Sequence, residues 1–385
     1  MNIAIFTDCY VPVKNGVVTS ISQLRAGLEA KGHRVIIFTV EARQHIESDP
    51  EIIRFPSFPI GLGTELAFGW VKQSDVNRII QLNNIELIHT HTEFSLAVSS
   101  IFAARRFCIP RVQTVHTMWE DYRHYIMHGL LFRPILIRTL FKWLLKGCSA
   151  IVAPSQKARN YYQSIVPDTA IDVIPNGLDS SVFKHTTLSM AEIEQVRLQW
   201  KLGSSDKVVL FVGRIGKEKR VSELFDALLP VLRADPLNKM VFVGDGPLFK
   251  KLKARAVNLG LAEQFIFTGF VDWNSMHELY SQADLFVTAS TSEVHSMTLI
   301  EAMMCSLPVV ARRDDSFLDS IVHEKNGYLA DTDSELTEYV RQLLSDQLKR
   351  ESFARESLKS SQNFTAKAHS DQMEKLYNRV LLSGS

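Results

Sequence analysis

A strand–loop–helix–strand pattern opens the chain and restarts near residue 208, and this repetition limits what the chain can fold into. Residues Asn2 to Thr7 are a short β-rich run, and Val17 to Ala30 carry helical spacing with Ile21, Leu24 and Leu28 on one side. Gly32 stops that helix, and Val35 to Val40 is a continuous apolar run of the kind buried on both faces of a parallel sheet. Leu87 to Thr90, Arg111 to Val115 and Ala150 to Ala153 are further short strands. Past the middle come strands at Val208 to Gly213, Met240 to Gly244, Phe265 to Thr268, Leu285 to Thr288 and Val309 to Ala311, with a helix from about Val221 to Leu232. Strands separated by helical stretches imply βαβ units and parallel sheets. The fold class is therefore α/β, with two units rather than one large sheet. The junction falls in Ile174-Pro175-Asn176-Gly177-Leu178-Asp179, where a proline, an Asn-Gly turn and a change of periodicity coincide. From about Asp333 onward the sequence is charged and helical.

The length of 385 residues suits two domains of about 150 to 200 each. A formal net charge of +1 suggests neither nucleic acid nor an acidic partner. Cys9, Cys108, Cys148 and Cys305 are scattered at no metal-ligand or redox spacing, as expected of buried, reduced thiols in a cytoplasmic protein. The first residues lack a signal peptide's basic segment and long apolar run. No stretch reaches 18 uninterrupted apolar residues, so no transmembrane span is expected and any membrane contact is peripheral.

Ligands of doubly wound sheets sit outside the carboxyl ends of the strands, and two such domains facing each other place a cleft between those loops. The loop from Asp8 to Gly16 lacks Gly-x-Gly-x-x-Gly, which argues against a nicotinamide cofactor. Gly16 lets backbone approach a phosphate or sugar near a helix N-terminus, or is a simple turn glycine. In Gly213-Arg214-Ile215-Gly216-Lys217-Glu218-Lys219, Arg214 and Lys219 suit a clamp on a departing diphosphate, in place of a metal ion; the alternative is a solvated basic loop. Glu293 lies in a loop suited to sugar hydroxyls, and Glu301 is placed two turns into the following helix, suited to the hydroxyls of a ribose. Between them, Ser296, Met297 and Thr298 offer the N–H groups of a helix N-terminus to phosphate. His116, just past a strand end, suits hydrogen bonding to the donor sugar or proton movement, although a lone histidine is more often structural. His89 and His91 read as loop or core residues.

The Asn15-Gly16-Val17 loop, His116, Arg214 with Lys219, and the Glu293/Glu301 pair followed by Ala302-Met303 together resemble family 4 of the glycosyltransferases. Ile174-Pro175-Asn176-Gly177 and Gly244-Asp245-Gly246-Pro247 agree in order and spacing. The resemblance covers nearly the whole chain. A narrower likeness, to bacterial diacylglycerol glucosyltransferases that make membrane glycolipids, is carried by three segments. They are Thr90-His91-Thr92-Glu93-Phe94-Ser95-Leu96, His116-Thr117-Met118-Trp119-Glu120-Asp121-Tyr122 and Thr291-Ser292-Glu293. Ser306 stands where the family commonly has glycine, and so does Ser296.

The resemblance implies a GT-B fold, with two Rossmann-like doubly wound domains facing across a cleft. The acceptor-side domain would cover residues 1–178, completed by a C-terminal helix at about 362–385, and the nucleotide-sugar domain 179–361. It implies a retaining transfer of a hexose, glucose first, from a UDP-sugar to a lipid such as diacylglycerol, with no cofactor and no metal. Arg214 and Lys219 would bind the diphosphate, Glu301 the ribose and Glu293 the sugar, with Gly244, Ser296, Met297 and Thr298 on the donor side and Gly16 and His116 closing from the first domain. The alternatives are a polyprenyl-linked sugar, polysaccharide or protein acceptor, or a non-catalytic GT-B partner subunit.

From Tyr122 to Pro167 there is no Asp or Glu, while Arg133, Arg138, Lys142 and Lys146 lie in or beside a helical stretch. On a helical wheel Arg138, Lys142, Lys146 and Thr139 share one side, opposite Leu136, Ile137, Leu140, Phe141, Trp143 and Leu144. With Trp143 as an interfacial anchor, this segment suits an anionic membrane surface at the inner face of the plasma membrane; packing on the sheet is the alternative.

Overall fold

The structure, a computed structural model, describes residues 1–42, 47–59, 67–118, 134–183 and 189–383. It divides into two compact units, Met1–Leu178 with Ala366–Ser385, and Asp179–Thr365.

The strands of the first unit are β1 (Asn2–Phe6), β2 (Arg34–Val40), β3 (Ile52–Phe55), β4 (Ser57–Pro59), β5 (Ala67–Gly69), β6 (Leu87–Thr90), β7 (Arg111–Thr114), β8 (Ala150–Ala153) and β9 (Ile171–Val173). Seven of them form a parallel sheet in the order β3-β2-β1-β6-β7-β8-β9, while β4 and β5 pair antiparallel beside it. Alternate side chains of the apolar runs feed two cores. Ile3, Ile5, Val35, Ile37 and Leu87 pack with helix Gly16–Glu29 and with Met373, Leu376, Tyr377 and Val380 of helix Ala366–Ser383. Ala4, Phe6, Ile36, Phe38 and Ile88 pack on the other face with Val76, Ile80, Leu96 and Ala103. Strands buried on both sides read as unbroken hydrophobic runs, which is why β1 and β2 show no polar alternation. Helix Ala366–Ser383 lies close on helix Gly16–Glu29: a Cβ at Gly27 would come 2.6 Å from the Cβ of Ser370. Lys31 adds ion pairs to Asp371 and Glu374 at 2.5 and 2.6 Å.

The second unit holds β10 (Lys207–Val212), β11 (Asn238–Val243), β12 (Phe265–Gly269), β13 (Leu285–Thr288), β14 (Val309–Arg312) and β15 (Gly327–Ala330). All run parallel in the order β12-β11-β10-β13-β14-β15. This is the strand order of dinucleotide-binding sheets, and it reverses direction between β10 and β13. The core joins Phe211, Phe225, Phe242 and Phe265, with Phe225 and Phe265 stacked at 4.0 Å. Strands β3, β9 and β15, and the β4–β5 pair, escape the sequence reading; all are short and lie at the edge of a main sheet or outside it.

Candidate active site

In the second unit the candidate residues gather on the loops after β10 and β13, the two strands flanking the switch point. The loop after β10 carries Arg214 into a turn of 3₁₀ helix, Lys217–Lys219, which precedes helix Val221–Ala234. The Lys219 ammonium stands 2.6 Å from Oε1 of Glu293, with only 19% and 15% of the two side chains exposed. Ser292 Oγ donates to the Glu218 carbonyl at 2.8 Å, so the two loops are joined by backbone as well as by charge. Arg214 is more open, with its Nε 3.8 Å from Glu218 and 54% of its side chain exposed. Gly244 ends β11 with φ +122° and lies against the first loop: the Gly213 N–H donates to Val243 and the Ile215 N–H to Asp245. Gly244 thus shapes the backbone that carries Arg214.

Helix Met297–Met304 begins immediately after Ser296, whose side chain makes no capping bond. Glu301 is therefore little more than one turn into the helix, not two, because the helix starts later than its apolar spacing suggests. Its carboxylate is buried, 6% exposed, and accepts from the Tyr280 hydroxyl at 2.8 Å. Burial pushes its pKa up from 4.5 to about 7, the Tyr280 bond opposing the shift. Tyr280, which the sequence reading misses, shares that one proton with the Thr298 carbonyl 3.2 Å away and so ties Glu301 to the helix start. Ser306 adopts φ +62° just past this helix, the left-handed conformation that explains why glycine is common at such a position.

In the first unit, Gly16 is the first residue of helix Gly16–Glu29, and Asn15 is its N-cap, its Oδ1 accepting from the Val18 N–H at 2.9 Å. Asp8, at the end of β1, is buried and accepts from Thr92 Oγ1, Ser95 Oγ and the Leu96 N–H at 2.6, 2.5 and 3.0 Å. It pins the loop after β1 to the loop after β6, and burial raises its pKa. His116 follows β7, half-buried, with Nε2 3.0 Å from Nδ1 of His91. His91 in turn meets His89, and both are fully buried. The two-residue spacing at the end of a strand, which turns both rings to one face, is the signal that reveals this cluster.

The basic stretch gives helix Pro134–Leu145. Arg133 and the segment Trp119 to Tyr122 lie outside the described residues, and Lys146 falls just past the helix end. The apolar arc expected on one side divides in two. Ile137, Phe141, Leu144 and Leu145 are buried, whereas Ile135, Leu136, Leu140 and Trp143 are 69%, 56%, 46% and 42% exposed. Eight apolar side chains in a dozen positions exceed what one buried stripe can hold. Lys142 and Lys146 are exposed with them, while Arg138 turns toward the neighbouring helix and donates to Ser164 Oγ at 3.1 Å. The buried guanidinium of Arg111 donates to the Leu144 carbonyl at 2.6 Å and fixes the helix end to the sheet. Among the described residues, no helix is long and apolar enough to cross a membrane.

Residues 14–182 match the family description "Glycosyltransferase Family 4", and residues 192–360 match "Glycosyl transferases group 1". An alpha-monoglucosyldiacylglycerol synthase of Streptococcus pneumoniae is 33% identical over 326 residues, 84% of this chain and 74% of that protein. The chain belongs to the family 4 glycosyltransferases. A synthase of the same name from Acholeplasma laidlawii is 30% identical, over 88% of this chain and 87% of its own. The fold matches that of Anabaena Alr3699/HepE, solved in complex with UDP, with a TM-score of 0.77 at 20% identity over 98% of this chain and 100% of that one. This family 4 enzyme is thus a glycosyltransferase of GT-B type, each unit a Rossmann-like parallel sheet.

Proposed function

We propose that this glycosyltransferase moves a hexose, glucose first, from a UDP-sugar to a membrane lipid such as diacylglycerol, with retention at the anomeric carbon and without a metal ion. The observation that carries this reading is the Lys219–Glu293 pair at the switch point of the second unit, a largely covered cation beside a carboxylate. The two synthases at 33% and 30% identity supply the acceptor class. Their products are named as alpha glycosides, and UDP-glucose carries its glucose through an alpha bond, so transfer of that kind retains configuration.

The acceptor hydroxyl attacks C1 on the face from which UDP departs, and its proton passes to the leaving phosphate oxygen. Arg214 and Lys219 stabilise the charge that develops on that oxygen, as preorganised donors do in a partly dry site. Glu293 accepts from the sugar hydroxyls, Glu301 from the ribose, and the amides of Met297 and Thr298 next to Ser296 face phosphate. Gly244 holds the Arg214 loop in place, Gly16 opens the helix nearest the acceptor side, and His116 accepts a hydrogen bond from the sugar. Helix Pro134–Leu145 docks on anionic lipid through Ile135, Leu136, Leu140 and Trp143, with Lys142 and Lys146 adding roughly 1 kcal/mol each near a charged surface.

The test offers UDP-glucose and related donors to the purified enzyme with diacylglycerol vesicles, anionic or neutral, in EDTA. Sugar-labelled lipid despite EDTA is expected, together with cosedimentation on anionic vesicles that weakens with salt. UDP release without labelled lipid moves the acceptor elsewhere, and silence with every donor sinks the reading. Equal recovery in the supernatant with and without anionic vesicles removes the membrane contact.

Glu301 gives a second expected result. Ribose hydroxyls donate to a carboxylate, so the donor binds the ionised form, while burial raises the Glu301 pKa to about 7. UDP-glucose affinity should therefore rise roughly tenfold between about pH 6 and pH 8, by proton linkage. UDP-glucose has no phosphate titrating in that window, so a calorimetric titration reads Glu301 directly, and Glu301→Gln should flatten the curve. In the free protein the sign reverses: the raised pKa stabilises the fold below the ordinary value of 4.5, and that contribution fades as pH rises through about 7.

A further inference from the structure

Arg220, directly after Lys219, turns the chain from the 3₁₀ turn Lys217–Lys219 into helix Val221–Ala234. It does so with φ +49° and ψ +37°, the left-handed conformation that glycine and asparagine enter easily and other residues only at a cost. The backbone is bonded on both sides of the turn. The Arg220 N–H donates to the Lys217 carbonyl at 2.9 Å, and its carbonyl accepts from the Leu224 N–H at 3.0 Å. Such a conformation persists on a residue of this kind where its surroundings hold it, and here the side chain supplies the hold.

The Arg220 guanidinium reaches Asp333, the first residue of helix Asp333–Ser345, with Nη2 3.3 Å from Oδ2. Arg312, the last residue of β14, brings its Nε to 3.0 Å from the other oxygen, Oδ1, and its Nη1 donates to the Ala330 carbonyl at the end of β15 at 2.7 Å. Asp333 thus lies between two guanidinium groups in the first turn of a helix, where the backbone amides favour an anion. The helices that follow Arg220 and Asp333 are joined as well, Thr337 Oγ1 donating to the Ala227 carbonyl at 2.7 Å. An isolated surface ion pair holds little, but a carboxylate shared by two arginines only 23% and 19% exposed is a network. Two neighbouring residues of one short turn are therefore anchored in different places. Lys219 is tied to Glu293 after β13, and Arg220 to Asp333 after β15, two strands further along the sheet.

We propose that Arg220, Asp333 and Arg312 are positioning residues that hold the Lys217–Lys219 turn and so fix the Lys219 ammonium against Glu293, where the leaving diphosphate meets it. The kinetic half of this proposal rests on the role given to Lys219 above; the placement of the ammonium does not. A working group displaced by about 1 Å can cost on the order of 10²-fold, and a turn released from one of its two anchors should cost less, roughly tenfold.

The experiment uses the full chain labelled with ¹⁵N-lysine and reads the Lys219 ammonium from ¹H–¹⁵N correlations, assigned by its loss in Lys219→Arg. An ammonium held on a carboxylate and largely covered exchanges its protons slowly enough to be seen. The Lys219 signal is expected in the wild type and should broaden or vanish in Asp333→Ala and in Arg220→Gly, whose glycine keeps the left-handed turn without strain. In transfer assays both variants should lose roughly tenfold in kcat with a smaller change in donor KM. Asp333→Glu, which keeps the charge, should recover most of the loss. Asp333→Ala added to Lys219→Ala should cost little more than Lys219→Ala alone, which a general weakening of the fold would not produce. A Lys219 signal absent from the wild type, or unchanged in both variants, overturns the placement whatever the activity. A signal and a rate unchanged in Arg220→Gly alone overturn the role of the guanidinium and leave the turn to its backbone. Full transfer by Lys219→Ala, with the signal as expected, overturns only the kinetic half.

Discussion

Lys219→Ala is expected to lower turnover by roughly 10²- to 10³-fold, the usual cost of losing one preorganised charge at a developing oxyanion. The site shows why no neighbour replaces it. Arg214 is half in solvent, with its Nε 3.8 Å from Glu218, whereas Lys219 is held at 2.6 Å on Glu293 between two joined loops. The same pair predicts how the loss divides. Without the ammonium, Glu293 keeps a charge while only 15% exposed, so the loop that carries it is disturbed too. Lys219→Ala combined with Glu293→Gln should then cost clearly less than the two single losses added together. Steady-state UDP release measures all three proteins, with a thermal melt to confirm that each is folded. A near-normal rate for Lys219→Ala would refute the clamp.

Gly244→Ala should be the most damaging single-methyl change in the second unit. Its Cβ would stand 2.1 Å from the Gly213 carbonyl oxygen, on a residue held at φ +122°. Neither atom has a flexible end that can move aside, because both belong to the backbone that shapes the Arg214 loop. Left-handed strain alone costs roughly 1 to 3 kcal/mol, and forcing the loops apart adds to it. A total of about 3 kcal/mol or more lowers the melting temperature of a domain this size by roughly 6 to 12 °C. Gly260→Ala provides the control: it has φ +69° but nothing within 4 Å of a Cβ, so it carries strain without collision and should lose only about 1 to 2 kcal/mol. Equal melting temperatures for the two variants would show that the Gly213 contact yields.

The sequence exposes the parts of this molecule that obey a period or a motif. Unbroken apolar runs such as Val35 to Val40 announce strands covered on both faces, and turn glycines announce where strands end. Glu293, Lys219 and Arg214 are legible because they stand on loops directly after strands, where a parallel sheet places its ligands. What stays hidden depends on contacts between distant segments. The ion pair of Lys219 with Glu293 spans 74 positions and the bond of Tyr280 to Glu301 spans 21, and neither leaves a local signature. The bond between His89 and Tyr377 spans 288 positions and is invisible to any window of sequence. The basic helix shows the opposite limit: a wheel identifies its apolar residues but not which of them the sheet covers.

The route of the chain also bears on how the molecule is made. A ribosome releases residues 179–365 as one uninterrupted stretch, so the second unit has everything it needs as soon as that stretch emerges. The first unit, though begun earlier, still lacks Met373, Leu376, Tyr377 and Val380 at that moment, and the face of its sheet that they share with helix Gly16–Glu29 is only partly covered. The order of synthesis is thereby inverted, the later unit maturing before the earlier one. For that interval the nascent polypeptide exposes an oily surface of the kind that holding chaperones cover.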